Sequence, residues 1–176
     1  MRIVSLFIAM SLDGYIADSE GGVSWLTGQG DDSENIDSYS EFVKDIDTIL
    51  MGRNTYHQLI TELSPNVWVY DDFITYVITH EKDVSSEKII FVNKNPGDLI
   101  KKLKKQNGKG IWVCGGANIV QQLVNENLID IYYVTIIPTI LGSGIRLFEN
   151  GKDEVKLKLI HTQTYNGMID LVYTRR

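Results

Sequence analysis

Two adjacent glycines lie where an apolar segment meets a helical pattern, in the stretch IWVCGGANIV at 111–120. The free N–H groups and partial positive charge at a helix N-terminus attract phosphate. A glycine corner carries no side chain, so a phosphate can approach those groups closely. Gly115 and Gly116 therefore suit a phosphate-binding corner, although a tight turn between a strand and a helix also uses such a pair.

A second corner of the same design is ILMGRNTY at 49–56, where Gly52 ends an apolar strand and Arg53, Asn54 and Thr55 open a helix. The guanidinium fork of arginine can donate two hydrogen bonds to one phosphate. An exposed arginine on a capped helix is the plainer interpretation of the same segment. Two such corners at one sheet edge fit a ligand with separated phosphates, for which a dinucleotide is the natural candidate.

The sequence patterns of several other kinds of site do not occur in this sequence. The segment GQGDDS at 28–33 lacks the third glycine of a G-x-G-x-x-G fingerprint, and no G-x-x-x-x-G-K-[ST] phosphate loop occurs. His57, His80 and His161 have no metal-ligand spacing to one another, so no metal site is expected. The single cysteine, Cys114, is interpreted as a small buried strand residue rather than a catalytic thiol.

The elements that must position these residues alternate along the chain. Short apolar segments, each stopped by a polar residue or glycine, predict strands at 3–10, 48–52, 75–79, 88–92 and 110–115. Helical patterns lie between them at 35–46, 95–108 and 116–128, and Asn95 is the predicted N-cap of the second. The tail at 130–140, 155–165 and 168–175 predicts three strands without intervening helices.

This order predicts an α/β fold, with a mainly parallel central sheet and antiparallel strands toward the C-terminus. In open sheets of this kind, ligands bind beyond the carboxyl ends of the strands. The residues that directly follow strands are therefore the functional candidates. They are Asp13, Gly52, Arg53, Thr79, His80, Gly115 and Gly116.

Bulk composition narrows the class of protein. The chain has 176 residues, 43% of them hydrophobic, which fits one domain over 1–176. The net charge of −6 argues against a nucleic-acid partner, because such proteins usually carry a basic patch. The first apolar segment ends at Asp13 and is too short to span a membrane, so a cytoplasmic protein without a membrane partner is expected.

Four motifs, in order, resemble one family. The chain is similar to the dihydrofolate reductase fold, with three layers, and more closely to the C-terminal reductase domain of the riboflavin-biosynthesis deaminase/reductase in its free-standing form. The stretches SLFIAMSLDGYIA, TILMGRNTYHQL, IWVCGGANIVQQLV and IDIYYVTIIPTILGSGIRLF carry the resemblance. It implies an NADPH-dependent reductase related to 5-amino-6-(5-phosphoribosylamino)uracil reductase, working on a C=N or C=O bond.

The resemblance also implies cofactor contacts. Ile16 and Ala17 would flank the nicotinamide, and a cis Gly115–Gly116 bond would face the cofactor. Arg53, with Lys82 as a second basic residue, would meet the adenosine 2′-phosphate. The full set of implied cofactor residues is Ile16, Ala17, Gly52, Arg53, Asn54, Thr55, Thr79, His80, Gly115, Gly116, Ala117, Asn118 and Ile119.

On the substrate side the resemblance points to three residues with competing interpretations. Asp37 is the nearest match to the family's helix carboxylate, but lies one position off and equally suits a first-turn acid. Asp13 is the other acid at a strand end, and equally suits a turn in Leu-Asp-Gly-Tyr. Thr135 matches a threonine near the family's substrate, and equally suits an ordinary strand position.

The charge around the expected substrate site departs from the riboflavin enzyme. That enzyme's substrate carries a phosphate, whereas Lys44 is the only basic residue between Ile3 and Gly52, and GDDSENID at 30–37 is acidic. Arg146 is the remaining basic candidate. A related reductase with a neutral or cationic substrate, a nucleotide-binding module without catalysis, and a true dihydrofolate reductase therefore remain alternatives. The strand-rich tail has the potential for an exposed edge, and the resemblance implies pairing as dimers, so a homodimer is expected.

Overall fold

The computed structural model describes residues 1–30, 32–149 and 154–176. Asp31, part of the acidic segment at 30–37, lies outside the described residues. Ten strands are described: β1 (Val4–Ser11), β2 (Tyr15–Ala17), β3 (Ile46–Gly52), β4 (Ile74–Ile78), β5 (Ile89–Val92), β6 (Gly110–Gly115), β7 (Ile131–Ile137), β8 (Ile145–Arg146), β9 (Leu157–Tyr165) and β10 (Met168–Arg175). The α-helices are α1 (Ser38–Val43), α2 (Arg53–Gln58), α3 (Pro96–Leu103) and α4 (Ala117–Asn125), and shorter helical segments are a 3-10 turn at Asp32–Glu34 and a π-helix at Leu59–Leu63.

Eight of these strands form one sheet in the order β5-β4-β3-β6-β1-β7-β10-β9. The pairs from β5 to β7 are parallel, and the β7–β10 and β10–β9 pairs are antiparallel. The predicted α/β fold, with a mainly parallel sheet and antiparallel C-terminal strands, is therefore confirmed. The carboxyl ends of β1, β3, β4, β6 and β7 meet along one edge.

Each central strand is mostly apolar on both faces, as expected where helices cover both sides of a parallel sheet. Along β1, Val4 and Leu6 pack in the cluster that contains the buried residues of α3 and α4. Phe7, on the opposite face, packs in the cluster around Phe42 of α1. The sheet is thus the middle of three layers.

The predicted helix at 35–46 is wrong in its bounds. Only Ser38–Val43 is helical, and Ile46 instead begins β3. Asp37 ends the preceding loop by accepting a hydrogen bond from the Ser40 amide at 2.9 Å, which makes it the N-cap of α1.

The predicted Asn95 cap is confirmed, since its side chain accepts from the Asp98 amide at 3.1 Å. Within the described ranges no helix combines the length and apolar character needed to cross a membrane.

The sequence patterns did not predict a second, two-stranded sheet. β2 and β8 pair antiparallel, with Tyr15 opposite Arg146 and Ala17 opposite Ile145. The Arg146 guanidinium lies 4.6 Å from the Tyr15 ring centroid and donates to the Tyr15 hydroxyl at 3.0 Å. This small sheet holds the segment after β1 against the loop after β7.

Candidate cofactor and substrate site

The two glycine corners lie against each other. β3 and β6 are neighbours, with Met51 opposite Gly115 at their carboxyl ends. A Cβ added to Gly52 would lie 3.3 Å from the Ile119 Cδ1 atom and 3.7 Å from the Gly116 nitrogen. The two corners therefore lie side by side at the sheet edge, with Gly115 buried and Gly52 and Gly116 half-buried.

Neither corner is closed by a side chain. Gly52 and Gly116 are the N-cap positions of α2 and α4, and neither helix has a side-chain cap hydrogen bond. The first N–H groups of α4, at Ala117 and Asn118, thus begin at a bare glycine. The Gly115–Gly116 peptide is cis, and Gly115 has a φ of +134°, which favours glycine.

Arg53 is held at the start of α2 by acidic and aromatic neighbours. Its guanidinium pairs with Glu81 at 3.1 Å and with Asp83. The Arg53 Cζ atom also lies 5.9 Å from the ring centroids of Tyr56 and Phe91. A phosphate that reaches Arg53 therefore meets two carboxylates beside it.

The predicted adenosine-end residues follow β4 at the same edge. Thr79 is buried, and its hydroxyl accepts from the Glu81 amide at 3.0 Å. His80 is exposed, with its Nδ1 atom 2.9 Å from the Asn93 side-chain oxygen. Asn54 is exposed on α2, and the Thr55 hydroxyl lies 3.4 Å from the position of a Cβ on Gly116.

The predicted nicotinamide neighbours lie on β2. Ala17 is buried, and Ile16 packs against the main core cluster. Gly144 of the loop before β8 approaches so closely that a Cβ there would lie 2.2 Å from the Ala17 carbonyl oxygen. The 142–144 loop thus fixes the backbone of this segment.

Asp13 fastens that loop with both carboxylate oxygens. Its Oδ1 atom accepts from the Ser11 hydroxyl at 2.6 Å and the Leu141 amide at 3.1 Å, and its Oδ2 atom accepts from the Gly142 amide at 2.7 Å. The Ser11 hydrogen bond, followed by the amides of Gly142 and Leu141, lowers the pKa of Asp13 to about 2. These contacts favour the turn interpretation of Asp13 over a proton donor.

The other two predicted substrate residues, Asp37 and Thr135, line one cavity of about 550 Å³. This cavity lies between α1 and the strands β1, β7, β9 and β10, on the Phe7 face of the sheet. The hydrogen bonds from the Ser40 hydroxyl and amide lower the pKa of Asp37, so this carboxyl stays ionised. The N-cap role of Asp37 agrees with the first-turn interpretation, and its position leaves it facing the cavity.

Asp170 is a cavity residue that the sequence patterns missed. It is buried on β10 and accepts from Thr135 Oγ1 at 2.6 Å, Tyr165 OH at 3.0 Å and Gln163 Nε2 at 3.1 Å. The available signal was an aspartate in the middle of an apolar strand, where aspartate is disfavoured. Its contact with the predicted residue Thr135 follows from the β7–β10 register, which places the two residues opposite each other.

Cys114 lies on β6 in the cluster with Phe7 and Trp112, as the predicted strand role requires, but it is half-buried rather than fully buried. Burial raises the pKa of its thiol to about 12, which keeps the reactive thiolate scarce at neutral pH.

Comparison with known structures identifies the fold of the chain. Dihydrofolate reductase from Enterococcus faecalis, solved with NADP(H), superposes with a TM-score of 0.70 at 18% identity, over 99% of this chain and 96% of that one. A Shewanella sp. PV-4 protein provisionally assigned to riboflavin biosynthesis superposes with a TM-score of 0.85 at 26% identity, over 99% of both chains. The fold is therefore that of dihydrofolate reductase.

Sequence comparison then gives the family. The model of the RibD C-terminal domain matches residues 2–170, and the chain belongs to that family. YwjB, an uncharacterized protein of Bacillus subtilis strain 168, is 38% identical over 99% of this chain and 98% of its own length. The resemblance drawn from the four motifs is thereby confirmed.

Proposed function

We propose that this protein is a reductase that uses NADPH to reduce a C=N or C=O bond of a small heterocyclic or sugar-derived substrate. The observation that carries the proposal is the pair of side-chain-free corners, Gly52 and Gly115–Gly116, joined at the sheet edge. Membership of a family named for riboflavin biosynthesis, and a dihydrofolate reductase fold solved elsewhere with NADP(H), support the same reaction class.

The residues present fit a dinucleotide. A Cβ on Gly52 or Gly116 would fill the space between the corners, lying 3.3 Å from Ile119 and 3.4 Å from Thr55 respectively. Backbone N–H groups at Gly116 and the start of α4 would hold the diphosphate. Arg53 would meet the 2′-phosphate, and Thr79 and His80 would lie at the adenosine end.

Bound NADPH supplies a hydride, which carries the two electrons of the reduction. The nitrogen or oxygen of the reduced bond would take its balancing proton from water. The chain's own contribution is to position the substrate beside Thr135 and to exclude water with the aromatic wall of Phe7 and Phe42. The ionised Asp37 stabilises positive charge on a substrate nitrogen as the proton arrives.

Titration with NADPH, followed by tryptophan fluorescence, tests the cofactor half of the proposal. Gly116→Ala adds a methyl group at a φ of −82°, which alanine tolerates, but places it 3.4 Å from the Thr55 hydroxyl. We expect NADPH affinity to fall at least about threefold while the melting temperature changes little. Gly97→Ala is the control: its methyl group would lie 2.4 Å from the Glu126 carboxylate, the end of a flexible side chain that must move aside, on a helix with none of the proposed cofactor contacts.

Turnover is tested by NADPH oxidation with a panel that includes 5-amino-6-(5-phosphoribosylamino)uracil and dihydrofolate. Oxidation with any member supports a reductase. Tight NADPH binding with no oxidation across a wide panel would instead favour a catalytically silent binding module. Absence of NADPH binding by the wild-type chain would overturn the proposal.

We also propose a homodimer, supported by the open edge of the large sheet. β9 is the last strand in the order, and its Leu159 and Ile160 side chains are exposed. An exposed edge strand with apolar side chains favours pairing with another chain. Gel filtration is expected to give a dimer, and a stable monomer would contradict this.

A further inference from the structure

The cavity beside α1 has the size and composition of a small-molecule site. Its volume of about 550 Å³ lies within the range of roughly 300–1,000 Å³ typical of such sites. Apolar side chains form much of its wall, including Phe7, Phe42, Tyr133 and Val172. A planar ring of moderate size therefore suits its interior.

The charged residues that line the cavity are of one sign. Its carboxylates are Asp37, Glu41, Asp45 and Asp170, its one imidazole is His161, and neither lysine nor arginine is among its described lining residues. Clefts with walls of one charge concentrate the field and attract ligands of opposite charge. This lining disfavours a phosphate and favours a cation or a group rich in N–H donors.

The nearest lysine, Lys44, lies at the exposed rim of the cavity on the lining residue Glu41, and the other basic candidates lie outside the described lining. Lys44 pairs with Glu41 at 2.5 Å, and Lys109 donates to the Lys44 carbonyl at 2.8 Å. Arg146, the basic candidate from the sequence, stacks on Tyr15 in the two-stranded sheet and does not line the cavity. In this arrangement a phosphate in the cavity would meet Asp37, Asp45 and Asp170, while the nearest lysine is engaged at the rim by Glu41.

Asp170 gives the cavity a specific anchor point. The residue is buried, with 7% exposure, and its three hydrogen-bond donors are the neutral groups of Thr135, Tyr165 and Gln163. A carboxylate has about four acceptor positions, so these donors leave about one for a ligand. Among the ion pairs of the described residues, none involves Asp170, although buried charges are normally paired.

From this geometry we infer that the cavity binds an unphosphorylated, planar ring that carries an amidine-like cation or cluster of N–H donors, with Asp170 as its anchor. Calling this ligand the substrate rests on the proposed reductase function, because the cavity shares none of its described lining residues with the two glycine corners. The preference of the cavity for a cation follows from its four lining carboxylates, whatever the ligand's role.

Three ligands of nearly the same shape test the charge preference directly. Benzamidine is a planar cation, benzamide is its neutral counterpart, and benzoate is the anion. Calorimetry or ligand-observed NMR on the wild-type chain is expected to rank benzamidine first, with benzoate at least about tenfold weaker. Equal binding of benzamidine and benzoate, or a preference for benzoate, would overturn the inference.

Substitutions then locate the anchor. Asp170→Asn keeps the shape but removes the charge, and is expected to weaken benzamidine about tenfold or more. The exposed double variant Glu41→Gln/Asp45→Asn provides a second test that does not disturb the core, and should weaken benzamidine by about two- to threefold. Glu87→Gln, an exposed charge before β5 at the far edge of the sheet, is the control and should leave binding unchanged.

If Asp170→Asn fails to fold, the Glu41→Gln/Asp45→Asn variant still tests the preference for a cation. Unchanged benzamidine binding in that variant would refute an electrostatic attraction between the cavity carboxylates and the ligand. NADPH titration of the same proteins separates this inference from the proposed function. NADPH oxidation driven by a phosphoribosyl substrate, and not by unphosphorylated amino-heterocycles, would refute the inference and leave the reductase standing. Failure of NADPH to bind would refute the reductase and leave the benzamidine result to judge the cavity.

Discussion

Removing the carboxylate of Asp83 should strengthen NADPH binding. In the structure the Arg53 guanidinium is shared between Asp83 and Glu81. A 2′-phosphate must share the same guanidinium and sits beside both negative charges. Asp83→Asn removes the competition for Arg53 and the repulsion together, and Glu81→Gln does the same at the second carboxylate.

The size of the effect follows from exposure. The Arg53 and Asp83 side chains are 30% and 31% exposed, whereas the Glu81 side chain is 68% exposed. Exposed pairs contribute about 0.2–1 kcal/mol. At about 1.4 kcal/mol per tenfold change, this range corresponds to about 1.5- to fivefold in Kd. We expect Asp83→Asn near the upper value and Glu81→Gln near the lower value.

NADH supplies the internal comparison, because it lacks the 2′-phosphate. A carboxylate near the adenosine ribose can accept a hydrogen bond from the free 2′-hydroxyl, so Asp83→Asn should leave NADH binding unchanged or weaker. Both cofactors are titrated by nucleotide fluorescence at low and high salt. The gain for NADPH should shrink in high salt, since ions screen exposed charges.

Asp71→Asn is the matched control for this experiment. Asp71 also forms a surface ion pair, with Lys88 at 3.2 Å, but precedes β4 at the opposite end of that strand. Its substitution should change neither Kd. Equal shifts for NADH and NADPH in Asp83→Asn, or weaker NADPH binding, would show that Arg53 does not meet the 2′-phosphate.

Three further predictions concern stability. Gly144→Ala should lower the free energy of unfolding by about 2 kcal/mol or more, because at a φ of +144° its Cβ would lie 2.2 Å from a β2 carbonyl oxygen; an unchanged urea midpoint would contradict this. Asp130→Ala should lower the free energy of unfolding by about 2 kcal/mol or more, because this carboxylate accepts from the Val4 amide and pairs with Lys104 and Arg175. Calorimetry measures the change, and a melting temperature within about 1 °C of wild type would refute the prediction. The pKa of Asp13, lowered from 3.8 to about 2, means that its loop contacts stabilise the fold above about pH 4 and are lost as pH falls toward 2. The stability difference between wild type and Asp13→Asn should therefore disappear toward pH 2, and a difference that persists there would contradict the assignment.

Local patterns predicted the strands and corners well for a physical reason. Parallel strands buried on both faces are continuous apolar segments, so their ends are marked by the first polar residue or glycine. Gly52 and Gly115 are such ends, and Asn95 followed by Pro96 marks a helix start equally clearly. These signals lie within a few residues of one another in the sequence.

The substrate side depends on contacts between distant segments and was predicted less completely. Asp170 and Thr135 are 35 residues apart and meet only because β10 runs antiparallel to β7. α1 is shorter than its apolar pattern indicated because Ile46 is required in β3. The pairing of Arg53 with two acids likewise arises from a loop after β4, which no spacing in the Gly-Arg motif reveals.

The position of β1 in the sheet has a consequence for how the chain acquires its structure during synthesis. Both neighbours of β1 are made much later, since β6 is Gly110–Gly115 and β7 is Ile131–Ile137. During synthesis, the apolar residues of β1 therefore stay unpaired until β6 and β7 have left the ribosome. Pairings between such distant segments also slow folding, so this strand is where we expect chaperones to bind the nascent chain.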